Sequence, residues 1–306
     1  MNETYYSNGK LLITGEYLVL NGAKALALPT KFGQSLQVSS IPNKIIIWTS
    51  YDADKSIWFE AELTFNDIIT VKNFDEAHPI KNTLVKILHQ ANLQNPNFLA
   101  SETGYKIETE LTFPRNWGLG TSSTLINNIA QWLQIDAFDL LRKSFGGSGY
   151  DIACAQNNLA ITYQLDENEQ PIVEVVDFYP NYNENIYFVY LNKKQNSRHA
   201  IQNYMNKQQF LIKKTATISE ITNKIVVSSN LEVTIDLLNH HEVILSDILE
   251  METVKERLFS DFKGTIKSLG AWGGDFVMVL SKENPTHYFH SKGYETILTY
   301  DEMILV

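Results

Sequence analysis

The sequence predicts a mixed α and β protein of the α+β class, with about two domains. Short runs of apolar and β-branched residues alternate along the chain with segments whose apolar residues recur at helical spacing. The chain has 306 residues, and a typical domain has about 150. No internal repeat or low-complexity tract interrupts this pattern.

The composition is typical of a folded globular protein and excludes several classes of function. Hydrophobic residues make up 44% of the chain, and the formal net charge is −10. An acidic surface repels phosphate backbones, so we expect no nucleic-acid partner. The single cysteine, Cys154, excludes an intrachain disulfide and a cysteine-rich metal site. The chain has no long apolar stretch or leader-like N-terminus, which predicts a cytoplasmic protein without a membrane partner.

The elements are predicted in chain order. The first 60 residues have the pattern of a meandering sheet, with a turn at Asn21-Gly22 and a strand that stops at Pro29. The strand-like runs are 10–14, 17–20, 25–28, 34–39, 44–48 and 56–60. Further strands are predicted at 105–113, 159–163, 172–178, 186–191, 276–280 and 296–300. Helices are predicted at 80–91, 124–133, 136–145, 198–227 and 231–254.

The best candidate for a linker is the polar, turn-rich segment 180–185. We therefore place a domain boundary near Tyr182, which gives domains 1–182 and 183–306.

The strongest functional signal is the sequence PRNWGLGTSST at 114–124, between a predicted strand and a predicted helix. Gly118 and Gly120 let the backbone approach a ligand, and the hydroxyl residues that follow occupy a helix N-terminus, which favours anions. The segment is not a Walker A loop, because no Gly-Lys-Ser/Thr is present. Taken alone, it is also compatible with an ordinary helix cap.

Three other segments could carry chemistry. Asp151 follows three glycines and could orient or deprotonate a hydroxyl, or it could simply complement a helix dipole. The segment 270–276, GAWGGDF, is either a backbone packed against a ligand or a plain hairpin turn. Lys10 begins an apolar strand and lies either near a pocket or at a sheet edge.

Together these four segments resemble the GHMP kinases, the family of galactokinase, homoserine kinase, mevalonate kinase and phosphomevalonate kinase. The segments KLLITGEYLVLNGAKALALP, PRNWGLGTSST, GSGYDIA and LGAWGGDFVMVL resemble the family motifs, in the family order and over nearly the whole chain. The resemblance is strongest to the mevalonate and phosphomevalonate branches. It implies an N-terminal domain like ribosomal protein S5 and a ferredoxin-like C-terminal domain, with ATP and substrate in the cleft between them.

The resemblance also implies a role for each motif. Asp151 would accept or orient the proton of the substrate hydroxyl, and Lys10 would stabilise the alkoxide and the Asp151 carboxylate. Thr121 or Ser122 would contact Mg²⁺ or a phosphate oxygen. The backbone that holds the ATP phosphates would come from Gly118, Leu119, Gly120, Thr121, Ser122 and Ser123. Contacts to the substrate would come from Glu16, Gly270, Ala271, Gly273 and Gly274.

The chain departs from the family pattern in two places. Ser122 and Asp151 are only 29 positions apart, and the missing part belongs to the helix that normally offers a glutamate to Mg²⁺. The nearest acids are Asp136 and Asp139, while leucines occupy the expected alignment. Trp117 and Trp272 replace small residues, and we expect them to narrow a pocket or to stack on a base.

The acceptor is expected to be a small alcohol. The segment 191–198, LNKKQNSR, resembles the strand-to-helix turn that precedes a helix of phosphomevalonate kinase. Lys194, Ser197 and Arg198 could bind an acceptor phosphate there, or they could form a solvated basic turn. The leading hypothesis is an ATP-dependent kinase of phosphomevalonate or mevalonate, active as a monomer or homodimer. The alternatives are a kinase of another alcohol, such as a sugar or homoserine, and a catalytically inactive ligand sensor or scaffold.

Overall fold

The computed structural model describes residues 2–71, 77–193 and 212–306. It confirms the α+β class. The predicted acceptor residues Lys194, Ser197 and Arg198 lie outside the described residues.

Eleven strands lie within the described residues. They are β1 (Asn2–Leu12), β2 (Ala25–Ile41), β3 (Ile45–Tyr51), β4 (Ile57–Thr64), β5 (Gly104–Leu111), β6 (Ile161–Leu165), β7 (Pro171–Val175), β8 (Ile186–Tyr190), β9 (Thr265–Ser268), β10 (Phe276–Leu280) and β11 (Ile297–Thr299).

The same part of the chain contains ten α-helices and three short 3₁₀ helices. The α-helices are α1 (Phe65–Ile69), α2 (Pro79–Gln94), α3 (Thr121–Leu133), α4 (Ala137–Ser144), α5 (Tyr150–Ala155), α6 (Ile212–Val227), α7 (Leu231–Leu249), α8 (Val254–Leu258), α9 (Thr286–Ser291) and α10 (Tyr300–Met303). The 3₁₀ helices are Leu18–Asn21, Pro96–Leu99 and Asn183–Asn185. None of the described helices is long and apolar enough to cross a membrane.

The chain forms two compact units, and each is built from three separate segments. The first unit contains Met1–Gly9, Phe32–Arg115 and Gly120–Gln156. The second contains Lys10–Lys31, Asn116–Leu119 and Asn157–Val306. These units follow spatial contacts rather than a single cut in the chain, and the boundary near Tyr182 stays a prediction.

In the first unit, helices cover one sheet. The second half of β2 pairs antiparallel with β5, which pairs in parallel with β3, and β3 pairs antiparallel with β4. The apolar residues of α2 face this sheet, and those buried in the helix are Leu84, Val85, Ile87, Leu88 and Ala91. They pack with apolar residues of α3 and α4 in one core. The helical spacing in the sequence therefore places the correct face of α2 in the core.

The second unit contains a separate antiparallel sheet with the strand order β11-β8-β10-β9. Strands β8 to β10 are buried along their whole length, and α7 packs against β9 and α6. The first residues of β2 pair with β6, which pairs with β7. Because α7 packs against β9, it lies next to the end of β9 that leads into residues 270–276.

Two sequence predictions near the N-terminus are wrong. Strand β2 does not stop at Pro29 but runs on to Ile41, so that the whole strand from Ala25 has 17 residues. Proline has no N–H to donate to a neighbouring strand, but its carbonyl can still accept a hydrogen bond. The Pro29 carbonyl accepts from the Leu305 N–H at 3.0 Å, so the strand can pass through this position. Residues 17–20 form no strand, because the chain enters the 3₁₀ helix Leu18–Asn21, which ends at left-handed Gly22.

Candidate functional site

The predicted phosphate loop lies between a strand and a helix, as the sequence indicates. It follows β5 and leads directly into α3. Gly118 and Gly120 both adopt left-handed conformations, with φ of 72° and 97°. Gly120 occupies the N-cap of α3 and has no side chain with which to cap the helix. The first N–H groups of α3 are therefore presented as an anion-binding end.

The hydroxyl residues at the start of α3 divide into two pairs. Ser123 Oγ donates to the Gly120 carbonyl at 2.8 Å, and Thr124 Oγ1 donates to Gln34 Oε1 at 2.7 Å. These two side chains are buried and hold the turn together. Ser122 is exposed and Thr121 is half-buried. The side chains of Thr121 and Ser122 are therefore the ones that could reach a ligand.

Lys10 lies next to the loop through its main chain. Its N–H donates to the carbonyl of Leu119 at 3.0 Å, and both residues belong to the second unit. Leu119 is buried, whereas Lys10 is half-buried. The strand that carries the predicted catalytic lysine is thus fixed to the phosphate loop.

Asp275 packs directly on Gly118. A β-carbon built on Gly118 would lie 2.4 Å from Asp275 Cγ, far inside the contact limit. Asp275 itself has a φ of 51°, which is unusual for a residue with a side chain. A glycine at position 118 is therefore required both by its backbone angle and by the carboxyl group beside it.

We expect the Gly118→Ala variant to lose about 2–4 kcal/mol of unfolding free energy, because strain in the left-handed region adds to the overpacking against Asp275. The matched control is Gly146→Ala. Gly146 has a similar φ of 74°, and no described atom lies within 4 Å of its added β-carbon. The control should lose only about 1–2 kcal/mol. Urea unfolding measures both, and equal losses would contradict the packing role of Asp275.

Trp117 packs into an aromatic cluster on the second sheet. Its ring meets Phe276 edge-on at 5.3 Å and lies 6.4 Å from Tyr190. The Tyr190 hydroxyl donates to the carbonyl of Asn116 at 3.2 Å. These contacts attach the first part of the loop to β8 and β10.

Asp151 belongs to the first unit, as do Gly120 to Ser123. It lies in the first turn of α5, two positions after left-handed Gly149, which is the N-cap of this helix. Helix α5 packs against α3, and Gln156 Nε2 at its end donates to Asn127 Oδ1 at 3.1 Å. Buried Asn127 in turn donates to Ser7 Oγ at 2.9 Å. The helix that carries the predicted base is thus tied to the helix that begins at the phosphate loop.

A buried ion network lies in the second unit, where the sequence predicts a substrate contact for Glu16. The Lys267 ammonium donates to Glu16 Oε1 and lies 3.1 Å from Glu242 Oε1. Ser268 Oγ donates to Glu242 Oε2 at 2.9 Å. His241 Nε2 accepts the Gly15 N–H at 3.0 Å and lies 3.4 Å from Glu16 Oε2. Lys267 is 0% exposed and Glu16 is 1% exposed.

The network sets unusual protonation states. Burial raises the pKa of Glu16 to about 7, although the Lys267 ammonium opposes the shift. Burial also disfavours the charge on Lys267, but the two carboxylates outweigh it and raise the pKa of this lysine. Burial and Lys267 lower the pKa of His241 well below its usual value. Because Nε2 of His241 accepts a hydrogen bond, its proton lies on Nδ1.

We expect Glu16 to make stability depend on pH. Its pKa is about 7 in the folded protein and 4.5 in the reference state, so only the folded state holds this proton between these values. The stabilising contribution is complete below about pH 4.5 and is lost as the pH rises through about 7. The unfolding free energy of the wild type minus that of Glu16→Gln should fall by about 3 kcal/mol over this window. Urea unfolding at a series of pH values measures this difference, and the contribution of His241 largely cancels because both proteins contain it. A difference in unfolding free energy that does not change with pH would contradict the raised pKa of Glu16.

The predicted substrate residues Gly270 to Gly274 form a strained turn above β9. We call residues 270–275 the glycine turn and residues 14–17 the opening turn. Trp272 has a φ of 51° and is buried, and its indole N–H donates to Glu242 Oε1 at 3.2 Å. Arg257 donates to the carbonyl of Gly273 at 3.2 Å. In the structure Trp272 is therefore a packed side chain rather than a platform for a base.

The structure resembles solved kinases over its whole length. The mevalonate kinase of Methanococcus jannaschii is 14% identical with a TM-score of 0.72, and the match covers 100% of this chain and 99% of that one. The Streptococcus pneumoniae phosphomevalonate kinase in complex with phosphomevalonate and AMPPNP is 16% identical with a TM-score of 0.71, covering 97% and 99%. The Lactococcus lactis galactokinase complexed with galactose is 13% identical with a TM-score of 0.64, covering 100% and 95%.

The chain has the fold of the GHMP kinases. No protein-family model and no curated protein matches the sequence. The resemblance carried by the four motifs is thus confirmed for the fold, whereas the roles of the individual site residues stay predictions.

Within this GHMP kinase fold, helix α4 offers no uncommitted carboxylate to a metal. Asp136 caps α4 by accepting from the Phe138 and Asp139 N–H groups. Asp139 pairs with Arg142 and Lys143 on the same helix. Across the described ranges, no group of three or more His, Cys, Asp or Glu side chains could hold a metal ion. The hydroxyls of Thr121 and Ser122 fit Mg²⁺ that is held mainly by nucleotide phosphates.

Sequence reasoning missed Glu242, Lys267 and the role of His241. His241 accepts from the Gly15 N–H, a partner 226 positions away that a single sequence does not reveal. The available signal was Lys267, a lysine in the short segment TIKSL that leads into the glycine turn. A buried lysine needs a buried carboxylate as its partner.

Proposed function

We propose that this protein is an ATP-dependent kinase that transfers the γ-phosphoryl group to a hydroxyl of a small acceptor. The proposal rests chiefly on one observation: the uncapped N-terminus of α3 follows two left-handed glycines, and the Lys10 main chain is bonded to the same loop. This arrangement suits the phosphates of a nucleotide. Known kinases have the same fold over the full chain.

Phosphoryl transfer depends mainly on positioning and on stabilising charge. On this proposal the backbone from Gly118 to Ser123 binds the ATP phosphates. The acceptor oxygen forms a bond to the γ-phosphorus, the bond to the bridging oxygen breaks, and ADP leaves. Asp151 takes up or orients the hydroxyl proton, and Lys10 stabilises the negative charge. Mg²⁺, when bound at Thr121 or Ser122, neutralises phosphate charge.

The first acceptor candidates are phosphomevalonate and mevalonate. The opening motif and the segment around Lys194, Ser197 and Arg198 support this choice through their resemblance to those branches. The Glu16 carboxylate contacts Lys267 and His241. We therefore propose that Glu16 acts on the acceptor through these neighbours and not by direct contact. A galactokinase of the same fold keeps sugars among the candidates.

The deciding experiment measures ADP release with ATP and Mg²⁺ against mevalonate, phosphomevalonate, homoserine and galactose. Turnover on one acceptor supports the kinase and identifies its substrate. If the protein binds ATP but turns over none of the four acceptors, the ligand sensor is favoured. This alternative is supported by Asp136 and Asp139, whose carboxylates bond within helix α4 and so are not available to a metal. If calorimetry detects no ATP binding, the phosphate-loop assignment is wrong.

A further inference from the structure

The opening turn and the glycine turn lie far apart in the sequence but are attached to the same buried carboxylate. Glu242 Oε1 accepts from the Trp272 indole in the glycine turn and lies 3.1 Å from the Lys267 ammonium. Lys267 also donates to Glu16 of the opening turn. Glu242 is only 3% exposed. One side chain of α7 is thus connected to both turns, directly to one and through a lysine to the other.

We propose that Glu242 and Lys267 are positioning residues that hold the opening turn and the glycine turn in one fixed arrangement. Both turns contain backbone that needs such support. Tyr17, Trp272 and Asp275 all have positive φ, which is costly for residues with side chains. The 3.1 Å ion pair and the two hydrogen bonds of Glu242 lie away from water, where charged contacts are strong and lost partners are costly.

The geometry also explains why a carboxylate is needed at position 242. Its two oxygens accept from two neutral donors, the Trp272 indole and the Ser268 hydroxyl, and face one cation. An amide has one acceptor oxygen and one donor group, so it cannot satisfy all three neighbours. The inference rests on the proposed function only in that both turns are predicted to meet the acceptor.

Hydrogen exchange tests the arrangement without any assumption about the reaction. In the Glu242→Gln variant, peptides covering both 14–20 and 269–276 should exchange about tenfold faster or more, because contacts to a charged group are lost. In Trp272→Phe, which keeps a ring but loses the indole N–H, only the 269–276 peptide should accelerate. The control Glu232→Gln changes an exposed residue of the same helix and should change neither peptide.

The kinetic measurement shows whether the arrangement serves the site. With an acceptor that turns over, Glu242→Gln should raise the acceptor KM about tenfold while the Kd of ATP stays within twofold. A uniform rise in exchange across all protected peptides, with an unchanged KM, would reduce the network to general stabilisation and overturn the proposal. If the wild type turns over no acceptor, the proposed function fails, while the exchange pattern alone still decides whether the two turns are coupled.

Discussion

Replacing Asp151 with asparagine is expected to lower kcat by about 10²–10⁴ if its carboxylate acts as a general base. The amide keeps the size of the side chain but cannot take up the hydroxyl proton at neutral pH. Asp151 lies in the first turn of α5, whose end is bonded to α3 through Gln156 and Asn127. Because these anchors are untouched, the variant should fold normally and still bind ATP.

Asp139→Asn is the matched control for this experiment. Asp139 lies in the same compact unit, and its carboxylate pairs with Arg142 and Lys143 on the surface of α4. Its loss should change kcat less than twofold. Steady-state turnover with the identified acceptor measures both variants. A loss below tenfold for Asp151→Asn, with normal circular dichroism, would remove the general-base role; a large loss for Asp139→Asn would place a metal ligand on α4.

The second large effect is expected from Lys267→Met. Removing one partner of a buried ion pair typically costs about 3–5 kcal/mol, because the remaining charge stays buried without compensation. Here two carboxylates, Glu16 and Glu242, would be left without their cation. Urea unfolding should show a larger loss at pH 7 than at pH 5, because burial raises the pKa of Glu16 to about 7 and protonation of Glu16 at pH 5 removes one uncompensated charge.

Two further variants separate charge from packing in this prediction. Lys282→Met removes an exposed lysine that pairs with Glu232, and it should cost less than about 1 kcal/mol. Adding Glu16→Gln to Lys267→Met removes one uncompensated charge and should recover part of the lost stability. If the double variant is as unstable as the sum of its single changes, burial of charge is not the source of the effect.

The sequence predicted those features of the protein whose signal lies within a short stretch of the chain. It did not predict features that depend on a partner far away in the sequence. The glycines of the phosphate loop were recognisable because a left-handed backbone before a helix demands glycine, and Gly118 and Gly120 adopt it. The core face of α2 followed from the spacing of its apolar residues. Pro29 was misinterpreted because a strand tolerates proline where no neighbour needs its N–H. The neighbour here, Leu305, donates to the Pro29 carbonyl and lies near the other end of the chain.

The ion network could not be predicted for the same reason. Lys267 is 251 positions from Glu16, and Ser268 is 26 positions from Glu242. A single sequence shows that Lys267 lies between Ile266 and Ser268, but it does not show which carboxylate will meet it. The same limit applies to Trp272, whose partner Glu242 lies on another element. Contacts of this kind arise from tertiary structure alone.

The separation between Glu16 and Lys267 also has a consequence for the order of folding. Closing so long a loop is entropically unfavourable until much of the intervening chain is already structured. The ion pair should therefore form after the folding transition state, so that its loss accelerates unfolding and leaves the folding rate nearly unchanged. The ion pair therefore lengthens the lifetime of the native state while adding little to the speed of reaching it.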